Sequence, residues 1–156
     1  MQQRLNIPRK EAGQLIENYF EKYPGVQAYI DQSIAFAKEH GYVKTLYGRK
    51  CFTPNINAKN GAWRAGAERA AINAPLQGTA ADIMKKAMAK MPSALKQEGL
   101  SAKMLLQVHD ELIFEVPEKE LEATSQLVKE VMENVVVTDV PLIAEAGSGP
   151  NWDEAH

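Results

Sequence analysis

At residue 103 the hydrophobic period of the chain changes, and that switch limits the fold more than any other feature. Before it, outside a short stretch at 42 to 54, apolar residues recur every three to four positions. From there, "KMLLQVHDELIFEVP" (103 to 117) reads as strand, acidic tight turn and strand. Helices come first and a strand–strand–helix–strand unit follows, so the two kinds of element are segregated along the chain, which argues the α+β class. At 156 residues, the size prior is one domain with one core.

Prolines and glycines punctuate the helical part. Pro8 suits a first helical turn, where its missing N–H is not needed, and Leu15, Ile16, Tyr19, Phe20 and Tyr23 then recur at helical spacing until Pro24-Gly25. A second helix is expected over roughly 26 to 40, with Val26, Tyr29, Ile30, Ile34 and Ala37 on one face and Gly41 as its stop; the two would form a helical hairpin. "YVKTLYGRKCFTP" (42 to 54) predicts a short β-hairpin around Tyr47-Gly48-Arg49. An Ala-rich helix starts near Gly61. Pro75 predicts a break or kink, a second helix continues to about residue 90, and Pro92 opens a further helical turn to Gly99. After the 103–117 hairpin, "EKELEATSQLVKEVMENV" predicts an amphipathic helix with Leu121, Leu127, Val128 and Val131 inward, and "VPLIAEAGSGPNW" a closing strand with a Gly-rich tail.

Charge divides the chain at the same place as the period. Residues 1 to 103 hold 16 Lys/Arg against 8 Asp/Glu, whereas residues 104 to 156 hold 2 against 12, so the net charge of -2 conceals balances of +8 and -10. Such a division suits a polyanion groove facing an acidic metal-binding floor, and equally two solvated faces. One cysteine excludes an internal disulfide framework, and no run of about 18 apolar residues appears. The expectation is a soluble, intracellular protein. Neither a phosphate-binding glycine loop, a helical His-Glu zinc motif nor a Cys-x-x-Cys pair is present.

Two constellations carry chemistry. His109, Asp110 and Glu111 sit at the tip of the second hairpin, where adjacent carboxylates held by strands offer hard oxygen ligands suited to Mg²⁺ or Mn²⁺. A solvated turn is the plainer alternative, and one such pair cannot by itself hold two ions. Arg69, Asn73 and Gln77 lie four apart, so they share one helix face if the helix continues through Pro75. Those side chains, with Ala and Gly between them, suit hydrogen bonding to acceptors of a nucleic-acid minor groove, or alternatively a polar stripe facing water. Arg49 and Lys50 follow a hairpin turn and are candidates for phosphate contact. His40 reads as a helix-end cap, Cys51 as a core or half-buried thiol, and Trp63 and Trp152 as packing anchors.

"RAAINAPLQGTAADIMKKAM", "VHDELIFEVP", the opening "LNIPRKEA" with "YFEKYPGVQAYI", and the closing "GSGPNWDEAH" together resemble the C-terminal region of the bacterial family A DNA polymerases. The resemblance covers essentially the whole chain. It implies a fingers remnant over about 1–60, fingers-to-palm helices over 61–102 and part of the palm over 103–156. It further implies Asp110 as a catalytic metal ligand, Glu111 as an auxiliary carboxylate and His109 as a contact near the primer terminus. Arg69, Asn73 and Gln77 would line the minor groove of template-primer DNA, and Arg49 would lie near the template. The chemistry implied is attack of a primer 3′-hydroxyl on a nucleotide α-phosphate with two Mg²⁺ ions.

Two motifs of that family are missing: the other palm carboxylate motif, D-Y-S-x-I-E-L-R, and the fingers helix R-x-x-x-K-x-x-x-F/Y-G-x-x-Y-G that holds the incoming nucleotide. The expectation is therefore a C-terminal polymerase fragment that binds template-primer DNA, takes deoxynucleoside triphosphates only within the full-length enzyme, and is inactive alone. It carries no membrane segment, is expected in the cytoplasm at the bacterial nucleoid, and exposes former interior surface that favours self-association. Two other readings stand beside it: a non-catalytic DNA-binding module, and a small metal-dependent phosphodiesterase that draws a missing ligand from Asp82, Glu115 or Glu145.

Overall fold

Two helices and a short β-hairpin precede one long helix, and a second hairpin with its own helix follows the change of period at residue 103. The computed structural model describes residues 8–155, and the chain divides into two compact units, one ending at Gly78 and one starting at Thr79, each with its own buried cluster. The α+β class holds, but two small cores replace the single one that length suggests.

In the first unit, helix α1 spans Arg9–Lys22 with Pro8 as its extended N-cap residue. Helix α2 spans Pro24–His40, so Pro24 not only stops α1 but opens α2, its fixed φ being already helical. Gly41, at φ 77°, ends α2 and donates its N–H to the Ala37 carbonyl at 2.8 Å. Strands β1 (Tyr42–Lys44) and β2 (Lys50–Phe52) pair antiparallel, with Tyr42 opposite Phe52 and Val43 opposite Cys51. The period of two then sorts the side chains. Val43 and Cys51 turn inward to Ala37, Ile56, Ala67 and Ala71, while Tyr42, Phe52, Lys44 and Lys50 lie on the other face.

Helix α3 spans Gly61–Gln97, 37 residues without interruption. Asn60 caps it: its side-chain oxygen accepts from the N–H groups of Ala62 (2.9 Å) and Trp63 (3.3 Å). The expected break at Pro75 and new start at Pro92 do not occur. Each proline removes one helical donor, a penalty of about 3 kcal/mol in an isolated helix. Burial on both sides outweighs it, through Ala67 and Ala71 in the first cluster and Ala87, Met91 and Leu95 beyond. The boundary between the units falls within this helix.

The second unit holds β3 (Lys103–Val108) and β4 (Glu111–Glu115), a 3-10 turn at Glu118–Glu120, α4 (Leu121–Glu133) and the short α5 (Trp152–Ala155). Met91, Leu95 and Ala102 are buried, with Met104, Leu112, Phe114, Leu127, Val128 and Val131 packed on them. Leu121, expected inward, is 37% exposed: it is the first residue of its helix and lies outside the buried stripe. The closing strand expected in residues 140–149 is also not formed among the described residues. A strand exists only through its ladder. Here the Ala144 N–H donates instead to the Glu133 carboxylate at 2.9 Å, and Val140 and Ile143 stay exposed. No helix among the described residues is long and apolar enough to cross a membrane.

Candidate functional site

His109 and Asp110 are the two residues of the turn that joins β3 to β4, and Val108 and Glu111 form the last pair below it. His109 has φ 52°, one of two non-glycine residues at positive φ among those described. Tight two-residue hairpin turns demand positive φ at the first central position, which glycine supplies without strain and other residues do not. The turn is braced by Gln107, whose side-chain amide donates to the His109 carbonyl. His109 and Asp110 are exposed and Glu111 is half-buried.

The support beneath this turn differs from a simple alternating ladder. Met104 pairs with Phe114 and Leu106 with Ile113, so Leu105 is an inserted residue, a β-bulge. The bulge moves Leu106 and Val108 to the face opposite Met104, Leu112 and Phe114. Of Leu106, Val108, Leu112 and Phe114, only Leu112 and Phe114 join the core; Leu106 is 45% exposed. The turn is thus anchored mainly through β4. Lys103 and Glu115, 3.2 Å apart, close the far end of the hairpin.

In the first unit, continuation of α3 through Pro75 satisfies the condition for a shared face. Arg69, Asn73 and Gln77 advance by about 40° per step around the helix, and all three are exposed. Ala67 and Ala71, on the opposite side, are buried against β1 and α2. Two contacts fix the helix from behind: the Tyr29 hydroxyl donates to the Ile72 carbonyl at 2.8 Å, and Lys38 pairs with Glu68 at 2.7 Å. The Lys38 ammonium, by hydrogen bond and charge, holds the Glu68 carboxyl below its usual range. Arg49 follows Gly48 in the β1–β2 turn, its backbone exchanging hydrogen bonds with Thr45. Arg49, Arg69, Asn73 and Gln77 therefore lie in the first unit, and His109, Asp110 and Glu111 in the second.

A divalent metal fits only part of this arrangement. Asp110 and Glu111 offer hard oxygen donors, yet no group of three or more His, Cys, Asp or Glu that could hold a metal exists among the described residues. The extra ligands of a self-sufficient phosphodiesterase do not gather. Asp82 is buried on α3, Glu115 is paired with Lys103 four residues down the strand, and Glu145 lies in the irregular tail. These residues alone do not make a metal centre.

Sequence reasoning missed one feature. Trp63, read as a packing anchor, is 65% exposed, and with Phe52, 76% exposed, it lines a groove of about 460 Å³ in the first unit. The available signal was the interleaving of cations and aromatics in "YGRKCF". Cys51 packs half-buried against the first core, and His40 sits at the end of α2, stacked on Phe36 with ring centroids 4.1 Å apart.

Comparison with known proteins covers the same span. Residues 1–154 match the model of DNA polymerase family A. DNA polymerase I of Pseudomonas aeruginosa is 51% identical over 152 residues, which are 97% of this chain and 17% of that protein. DNA polymerase I of Chloroflexus aurantiacus is 52% identical over 153 residues, 97% of this chain and 16% of the relative. Among solved structures, the POL domain of Pol1 from M. smegmatis, in complex with DNA primer-template and dNTP, superposes with a TM-score of 0.91 at 45% identity, over 99% of this chain and 27% of that one. The chain thus spans 17% or less of these two relatives' length. With a match from residue 1 to 154 and half its residues identical to theirs, the chain belongs to DNA polymerase family A.

Proposed function

We propose that the chain is the C-terminal fingers and palm portion of a DNA polymerase I, with the fingers remnant at 1–60, the connecting helical region at 61–102 and the palm at 103–156. It binds template-primer DNA. Arg69, Asn73 and Gln77 face the minor groove, where acceptor patterns are degenerate and contacts are tolerant of sequence. Arg49 lies toward the template, and His109 lies near the primer terminus. Asp110 and Glu111 supply oxygen ligands to a Mg²⁺ site whose remaining ligands come from palm segments outside this chain. Deoxynucleoside triphosphates are substrates of the full-length enzyme, and the chain alone does not polymerise. The observation that carries the reading is the exposed Arg69, Asn73 and Gln77 stripe on one unbroken helix, within a family match that spans the chain.

The test is binding of a blunt duplex by fluorescence anisotropy. Replacing Arg69, Asn73 and Gln77 together with alanine weakens binding by roughly tenfold or more, since base-edge contacts contribute about 1–3 kcal/mol each. The salt slope falls by about one only if Arg69 also contacts a phosphate. Equal binding by the triple variant and the parent would overturn the reading.

A further inference from the structure

The β3–β4 sheet is apolar on both faces. Met104, Leu112 and Phe114 meet the second core, while Leu106, Val108 and Ile113 lie on the other side. A sheet with one wet face alternates apolar and polar residues, whereas strands covered on both faces read as apolar runs, as "LIF" does in β4. The sheet also stops at two strands among the described residues. Of its two edges the β3 edge is the more open, and Leu105, the bulge residue, is 55% exposed on that strand.

The same unit holds a strand without a ladder. Over 141–145 burial alternates residue by residue, with Leu142 and Ala144 half-buried and Pro141, Ile143 and Glu145 exposed, the period of an extended segment. Its backbone makes no hydrogen bond to another backbone group among the described residues, and Ile143 is 80% exposed. Within one copy the bond from Ala144 to Glu133 ties this segment to the end of α4, so it does not serve its own β3. Residues 140–146 and β3 match in length, at about 20 Å each. Area fits the same occupant. The chain exposes 11536 Å² at 17.3 kDa, whereas a folded monomer of that mass exposes roughly 7,800 Å². The surplus is several times the roughly 800 Å² that a stable interface takes from each partner.

We propose that the 156-residue chain dimerises by reciprocal strand addition, residues 140–146 of each copy pairing with β3 of the other. A second copy brings both the free edge and the free strand, so two copies about a twofold axis complete each other. Charge gives the association a signature. The second unit holds seven Lys and no Arg against fourteen Asp/Glu, so joining two copies there brings like charges together. Salt screens that repulsion and tightens the dimer. Pairing of the basic half of one copy with the acidic half of the next would respond in the opposite sense, as does DNA binding.

Sedimentation velocity of the full chain without DNA tests the proposal, with concentration and salt varied. The expected result is a monomer–dimer equilibrium whose Kd falls as salt rises. Ile143→Glu and Leu105→Glu each place a carboxylate in the new contact and raise Kd by roughly tenfold or more. Both positions are largely exposed, so the variants fold like the parent, and circular dichroism melts check it. Tyr19→Glu, on an exposed position of α1 in the first unit, stays within about twofold. Hydrogen exchange slows in 142–146 and in β3 above Kd, as a new ladder requires. A chain that stays monomeric, a dimer that salt weakens, or an unchanged Kd in the two second-unit variants would overturn the proposal. So would protection confined to the first unit. No DNA enters the experiment, so this inference and the duplex reading fail separately.

Discussion

The β1–β2 turn places its positive φ on Gly48, whereas the β3–β4 turn places its own on His109. In the first, Thr45 organises the loop: its hydroxyl accepts from the N–H groups of Tyr47 (3.3 Å) and Arg49 (3.2 Å), and its carbonyl accepts from Gly48 at 2.9 Å. That turn is relaxed, and its backbone conformation costs little. The second turn has two residues, no glycine, and a histidine held at φ 52°. Left-handed backbone at a non-glycine residue costs on the order of 1 kcal/mol or more and persists where side-chain function requires it. The hairpins differ in charge as well, since one carries Lys44, Arg49 and Lys50 and the other Asp110 and Glu111 at its tip. The comparison shows one turn meeting its backbone requirement with a glycine and the other with a histidine, the pattern expected if the role proposed for His109, Asp110 and Glu111 outweighs the backbone cost.

The largest expected effect probes that distinction directly. In a polymerase of full family length carrying this sequence, Asp110→Ala lowers kcat on the order of a thousandfold while leaving the melting temperature unchanged. A loss under tenfold, read by single-turnover extension, would place the acidic turn in the same structural class as the glycine turn.

Gly78→Ala should act on the other hairpin. A Cβ at Gly78 would lie 2.6 Å from Cγ2 of Thr45, the residue that organises the β1–β2 turn, and 3.5 Å from Sγ of Cys51. Thr45 is buried and β-branched, so it has little room to yield. Overpacking should outweigh the gain in helix propensity and destabilise the first unit by about 1–2 kcal/mol. Hydrogen exchange should speed up in β1 and β2 and stay the same in β3 and β4.

His109→Gly sharpens the comparison from the opposite side. Relieving the positive φ should stabilise the second unit by about 1 kcal/mol in urea titration of this chain, while weakening primer extension by a polymerase of full family length that carries the same substitution. Destabilisation would mean that the imidazole, rather than the strain, dominates the turn.

The smallest effect is a pH dependence. The Ser101 N–H and hydroxyl donate to the Glu120 carboxylate at 2.7 and 2.9 Å, and these bonds, the backbone one first, hold its pKa below the ordinary 4.5. A lowered folded-state value means that the contribution is fully present above about 4.5 and is lost as pH falls through the lowered value. Glu120→Gln should therefore lower the neutral plateau of the melting-temperature profile slightly and flatten its acid limb, the variant and parent converging at low pH; the effect is small for a surface carboxylate.

What the sequence made legible followed from local rules. Gly41, Gly48, Asn60 and Pro24 each set a backbone conformation or a cap by their own chemistry, so the ends of α2, the first turn and the start of α3 were readable. The exposure of Arg69, Asn73 and Gln77 followed from spacing once the helix was continuous. Whether it was continuous depended on tertiary burial of Ala71 and Met91, which no local signal at Pro75 or Pro92 reports. The bulge at Leu105 was invisible because "LL" gives the period of two nothing to contradict. The missing last strand depended on a pairing partner distant in sequence, and the exposure of Trp63 on how α3 sits against β2.

The central claim is that the carboxylate pair at the β3–β4 turn is part of a site completed from outside this chain. Primer extension tests it most directly, with the 156-residue chain alone, a primed template, all four deoxynucleoside triphosphates and high Mg²⁺. The account predicts salt-dependent binding of the primed template and no extended product, while a polymerase of full family length carrying the same sequence extends the primer. Template-dependent extension by the isolated chain would contradict it.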